Sequence, residues 1–122
     1  MRRSIAAART SGPTAAAEGV SVFEFRFSAG DPTFAGHFPQ RPLLPGAFQI
    51  EMARAAAEWL LGGSLAVREI ARAKFLRPIL PEQNVRGELK VSEAEGLIRV
   101  RAGFSVDGQR VSEVVLELWR SA

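Results

Sequence analysis

The chain has 122 residues, 47% of them apolar and 24% charged, with a formal net charge of +3. That length suits one compact domain with its own core, and no uncharged run exceeds nine residues, too short for a membrane-spanning helix. The absence of cysteine excludes disulfides, thiolate metal clusters and a cysteine nucleophile, and a single histidine, His37, excludes any site that needs two imidazoles.

Residues 1–17, MRRSIAAARTSGPTAAA, are rich in Ala, Ser and Thr and contain Arg2, Arg3 and Arg9 but no acid. An Arg-rich, acid-free start has the composition of an organelle transit peptide. The simpler reading is a flexible basic tail over 1–17, followed by one domain over 18–122. Three of the sixteen basic residues lie in that tail, which leaves thirteen against thirteen acids in the domain. A neutral domain argues against a nucleic-acid partner, which would need the excess charge on the fold itself.

Residues 20–28 alternate, with Phe23, Phe25 and Phe27 on one face and Glu24 and Arg26 on the other, as in a half-buried strand. Residues 29–44 read as a loop, with Asp31-Pro32, Gly36, Pro39 and Pro42. Pro45 is then well placed to open a helix over 46–61, GAFQIEMARAAAEWLL, which Gly62-Gly63 would end. Phe48, Met52, Ala55 and Trp59 form one apolar stripe, and Ile50, Ala53, Ala57, Leu60 and Leu61 populate other faces. Such a helix is buried on more than one side. Strands are expected over 66–77, 84–92, 97–106 and 110–120, with hairpin turns at Glu95-Gly96 and Asp107-Gly108. Gly87 and Gly103 are candidate bulges or bends. One buried helix against one curled antiparallel sheet, in the order strand, helix, four strands, is an α+β solution.

Chemistry concentrates in residues 36–51, Gly-His-Phe-Pro-Gln-Arg-Pro-Leu-Leu-Pro-Gly-Ala-Phe-Gln-Ile-Glu. His37 sits in a proline-studded loop. Glu51 lies in the second turn of a helix that is otherwise mainly apolar, where a carboxylate is costly unless paired or functional. Gly46 offers an unobstructed N–H at the helix start, where the dipole favours negative charge. A base, an acid and an oxyanion donor together suit proton abstraction beside a carbonyl with loss of a hydroxyl. Each group also has a structural reading: His37 as a surface residue, Glu51 as a solvated or capping carboxylate, Gly46 as a turn glycine. A basic cluster, Arg68, Arg72, Lys74 and Arg77 against the single Glu69, reads either as a solvated strand face or as a docking patch.

The segment GHFPQRPLLPG followed by Glu51 resembles the G-H-F-P-G-x-P-x-x-P-G…E signature of bacterial β-hydroxyacyl-acyl carrier protein dehydratases of the FabZ and FabA types, with the same step from His37 to Glu51. The likeness continues in AKFLRPILP, residues 73–81, and in Val106-Asp107-Gly108. It implies the hotdog fold, a long helix wrapped by an antiparallel sheet. It also implies roles: His37 takes the α-proton of a β-hydroxyacyl thioester, Glu51 holds or protonates the leaving hydroxyl, and the Gly46 N–H polarises the thioester carbonyl. Phe38, Pro45 and Phe48 would line the substrate, and Arg68, Arg72, Lys74 and Arg77 would meet an acidic acyl carrier protein. The product would be a trans-2-enoyl thioester, made without metal or organic cofactor by a cytoplasmic homodimer or dimer of dimers whose sites combine His37 and Glu51 from different subunits. No nucleic acid or membrane partner is implied.

Three departures stand out. Gln40 replaces the family glycine, Pro81-Glu82-Gln83 replaces Pro-Gly-Asp, and the Leu-Pro-His-Arg-x-Pro-Phe segment is absent. The chain therefore looks like a shortened member, similar to small dehydratases of aryl polyene or other specialised acyl pathways. A hotdog thioesterase and a catalytically weak acyl-carrier-binding partner subunit are the competing readings.

Overall fold

The computed structural model describes residues 1–34 and 43–121. Its elements are α1 (Arg2–Ala8), β1 (Arg9–Ala17), β2 (Val20–Phe25), a 3-10 turn (Pro32–Phe34), α2 (Gly46–Leu61), β3 (Leu65–Phe75), β4 (Val85–Ala94), β5 (Leu97–Val106) and β6 (Gln109–Arg120). All strands join one antiparallel sheet in the order β1-β2-β4-β5-β6-β3. The α2 helix lies against the inner face of this sheet, the hotdog arrangement.

Period-two alternation builds the inner face. Phe23 and Phe25 of β2, Leu89 of β4, Ile98, Val100, Ala102 and Phe104 of β5, and Val114, Leu116 and Leu118 of β6 are all essentially inaccessible. The helix meets them through Met52 and its alanines, Ala53, Ala55, Ala56 and Ala57, whose small side chains let backbone and sheet approach closely. Both expected hairpins form. Glu95-Gly96 and Asp107-Gly108 each place two successive residues at positive φ, the condition for a two-residue turn whose twist matches its strands.

Gly87 does not mark a bulge. It pairs directly with Phe23, and the β2–β4 and β4–β5 registers run through it without a shift. A Cβ there would run into the Phe23 ring, so the glycine makes room for an aromatic side chain from the neighbouring strand. Gly103 likewise leaves room for the Arg110 guanidinium.

The expectation of a flexible tail over 1–17 gives way to an ordered element pair. Ile5 and Ala8 of α1 enter the core, at 1% and 4% exposure. β1 pairs with β2 along its length, the Arg26 N–H donates to the Ala8 carbonyl (2.8 Å), and the Arg9 guanidinium lies 4.1 Å from the Trp59 ring centroid on α2. These attachments come from backbone pairing and single side chains, not from a periodic apolar stripe. The composition of the segment therefore did not signal them.

The two sheet edges are β1 and β3. β3 is exposed from Val67 to Phe75, and Val67, Ile70, Phe75, Leu76 and Leu80 present apolar surface along and just beyond it.

Candidate functional site

The amino end of α2 is built by Pro45, whose φ of −60° and ψ of 148° bring the chain in extended and turn it into the first helical residue. Two fixed points flank residues 35–42, which include His37. On one side, the Ser4 hydroxyl donates to Asp31 Oδ1 (2.9 Å), the same oxygen accepts from the Thr33 N–H (2.8 Å), and Phe34 is buried. On the other, the Leu44 N–H donates to the Ile79 carbonyl (2.8 Å) and its side chain is buried. His37, Phe38 and Gln40 lie outside the described residues.

Gly46 opens the helix. Among the described residues neither its N–H nor that of Ala47 meets an acceptor, as expected for the first turn, whereas the Phe48 N–H returns to the Pro45 carbonyl (3.0 Å). Gly46 does not adopt positive φ, so a turn does not explain the glycine. Close approach does. A Cβ at Gly46 would lie 2.8 Å from Cζ of Phe75, whose ring covers the helix start. Phe48 is half-buried and meets Phe27 edge to face, at 6.5 Å between centroids. One turn in, Gln49 is buried with no partner for its Oε1 among the described residues.

Glu51 is neither solvated nor a cap. Its side chain is 15% exposed, and both of its oxygens accept from Arg54, Oε2 from Nε at 2.8 Å and Oε1 from Nη2. Arg54, 6% exposed, also pairs through Nη1 with Glu58 Oε2 (2.6 Å) and donates to the Leu65 carbonyl (3.2 Å) at the start of β3. Glu58 Oε2 in turn accepts the Leu65 N–H (2.8 Å). The Glu51 hydrogen bonds, opposed by burial and reinforced by the charges of Glu51 and Glu58, raise Arg54 above its ordinary value, so the guanidinium stays charged at any working pH. Sequence reasoning missed Arg54. Its signal was a cation three residues after one glutamate and four before another on a largely buried helix.

The four basic residues of β3 and its exit have different neighbours. Arg68 is drawn to Glu117 (2.9 Å) and Glu69 (3.8 Å), and Arg77 donates to Gln109 (3.0 Å). Arg72 instead faces residues of other strands. On the outer sheet face Lys90 stands opposite Arg101, Arg101 opposite Val115, and Val115 opposite Arg72. With Arg110 they rim a shallow groove of about 400 Å³, which also includes Glu88, Arg99 and Glu113. Like charges directly opposite one another weaken a sheet, and among the described residues none of these four cations has an ion-pair partner. Lys74 lies beside this face, opposite Glu113. Lys90, Arg101 and Arg110 were not singled out from sequence, because only strand register brings them to Arg72.

Among the described residues no group of three His, Asp or Glu side chains is placed to hold a metal ion. Nor is any helix long and apolar enough to cross a membrane.

A long helix against a curled antiparallel sheet, with a carboxylate beyond a glycine-opened amino end, defines a hotdog domain. Residues 14–114 match the ApeI-like family, described as ApeI dehydratase, and the chain belongs to that family. It is 33% identical over 94 residues to the 3-hydroxyacyl-acyl-carrier-protein dehydratase FabZ of Anaeromyxobacter sp. (strain K), covering 68% of this chain and 60% of that protein. The FabZ of Sinorhizobium medicae (strain WSM419) is 36% identical over 94 residues, covering 70% of this chain and 61% of that protein. The chain thus spans about three fifths of the length of these curated relatives. Among solved structures, the dehydratase heterocomplex ApeI:P from Xenorhabdus doucetiae superposes with a TM-score of 0.74 at 27% identity, covering 88% of this chain and 93% of that one. The E. coli PaaI protein, at 15% identity and a TM-score of 0.65, shares the fold.

Proposed function

We propose that the protein removes water from a β-hydroxyacyl thioester carried on an acyl carrier protein, giving the trans-2-enoyl thioester. One observation carries the reading: the family match spans His37, Gly46 and Glu51 together, at the spacing of the dehydratase signature. In this mechanism the thioester carbonyl accepts the Gly46 N–H at the positive end of α2, which stabilises negative charge developing on that oxygen. His37 takes the α-proton. The electron pair forms the Cα–Cβ double bond and expels the β-hydroxyl, which Glu51 orients and which leaves as water on receiving the proton that His37 removed. The thioester itself acidifies the α-carbon, so no metal or organic cofactor enters. Phe38, Pro45 and Phe48 line the acyl group.

The partners follow from the surfaces. The exposed apolar edge at β3 is of the kind sheet proteins cover with another strand, and we assign it to a second copy, so that His37 and Glu51 of different subunits share a site. The acidic carrier docks on basic residues, with Arg72 the member of the sequence-derived cluster that has unpaired neighbours. The protein works in the cytoplasm, in fatty-acid or aryl polyene-type synthesis. The test is incubation with β-hydroxyacyl thioesters of several chain lengths, with mass analysis of the acyl group. Loss of water supports the reading; release of free thiol with the hydroxyacid makes the protein a thioesterase instead.

A further inference from the structure

Arg54 has no part in the mechanism above, yet among the described residues it is the most elaborately held side chain near the site. Burying a guanidinium is costly, and a well-packed apolar side chain would commonly hold a helix to a strand as well or better. A tie between α2 and β3 is therefore a weak reason for a buried Glu51–Arg54–Glu58 triad. Glu58 alone already provides such a tie by accepting the Leu65 N–H.

The arrangement is better matched to another task. A glutamate has three rotatable side-chain bonds and on an open helix face samples several rotamers. Here the planar fork of Arg54 takes one lone pair from each Glu51 oxygen, an arrangement that fixes the carboxylate in position and in plane. Arg54 is itself fixed by two more anchors, Glu58 and the Leu65 carbonyl. Each Glu51 oxygen retains a second lone pair that can accept a hydroxyl or water. A carboxylate held this way is pre-oriented toward the leaving group and need not be ordered during the reaction.

We propose that Arg54 is the positioning residue for Glu51, setting the orientation in which the carboxylate receives the departing hydroxyl. The inference rests on the role given to Glu51 above. Arg54 touches no substrate; it acts through the carboxylate.

The test compares wild type, Glu51→Gln, Arg54→Lys, Glu58→Gln and the Glu51→Gln/Arg54→Lys double variant on one β-hydroxyacyl thioester, with folding checked by circular dichroism. Arg54→Lys keeps the charge beside Glu58 but loses the fork. It is expected to lower kcat at least about tenfold with KM changed less than about twofold, while Glu58→Gln, which spares the fork, stays within about threefold of wild type in kcat. The double variant should be no slower than Glu51→Gln alone, because a residue that acts only through Glu51 has nothing left to act on. A purely structural staple would not produce that non-additivity. If Arg54→Lys does not fold, Arg54→Gln, which keeps one donor for Glu51, takes its place under the same criteria. Full kcat in a folded Arg54 variant, or losses that multiply in the double variant, overturns the proposal, as does failure of both Arg54 variants and Glu58→Gln to fold. Glu51→Gln at wild-type rate would instead remove the site reading itself, so the two failures are distinct.

Discussion

Ile5→Ala tests whether the amino-terminal segment is part of the domain. Ile5 is 1% exposed within the core, and Ser4 beside it is tied to Asp31, a few residues before His37. Removing the buried carbons of an isoleucine costs roughly 2–5 kcal/mol, from lost transfer energy and the cavity left behind. α1 is short and lies at the chain end, so the cavity can partly collapse, and the low end, about 2–3 kcal/mol, is expected. For a chain of this length that lowers Tm by roughly 8–12 °C. Arg3→Ala, on the exposed face of the same helix, should stay within about 0.5 kcal/mol. Urea unfolding followed by circular dichroism, at one fixed protein concentration because any subunit association would add to apparent stability, measures both. Equal and negligible effects of the two substitutions would refute the docking of α1 and restore the flexible tail.

Gly46→Ala forces the Phe75 ring away from the helix start. Phe75 is 47% exposed in the single chain but lies on the β3 edge assigned to a second copy, so it must shift within that contact and stability should fall by about 1–3 kcal/mol, while kcat falls at least about tenfold because the oxyanion donor is shifted; steady-state kinetics beside thermal melts separate the two. Arg72→Glu with Arg101→Glu should raise KM for a carrier-bound substrate, less so at high salt, and spare a small thioester; Arg68→Glu, already paired with Glu117, should do less. Equal losses on both substrates would count against docking at this face. Co-expressed His37→Ala and Glu51→Ala chains should recover about a quarter of wild-type activity, since about half the dimers are mixed and each mixed dimer holds one intact site. Confirmed mixed dimers without recovery would place both groups of a site in one chain.

Much of the fold is legible in the sequence wherever one face of an element is buried. Pro45 and Gly62-Gly63 delimit α2 at Gly46–Leu61 as expected, and the Phe23/Phe25 and Val100/Ala102/Phe104 alternations mark inner faces. β1 was invisible because it contributes backbone hydrogen bonds at an edge and buries no side chain fully. The site divides the same way. Gly46 and Glu51 lie where their spacing puts them, at the amino end and second turn of one helix, because helix geometry is local. The meaning of Gly46 was not local: it depends on Phe75, a strand away. The basic groove depends on register across four strands, β4-β5-β6-β3, and no linear cluster could show it. Arg54 is the instructive miss. Its i−3 and i+4 glutamates stood in plain view, but an arginine among alanines reads as a surface residue until burial is known.

The measurement closest to the central claim is the fate of the β-hydroxyacyl group. Purified protein and its Glu51→Gln and His37→Ala variants are incubated with a carrier-bound β-hydroxyacyl thioester, and the acyl mass is read over time. Wild type is expected to convert the substrate to a species lighter by one water, with the thioester intact, and both variants, folded as wild type, to leave it nearly unchanged. An unchanged substrate with wild type, or hydrolysis to the free hydroxyacid, would contradict the claim.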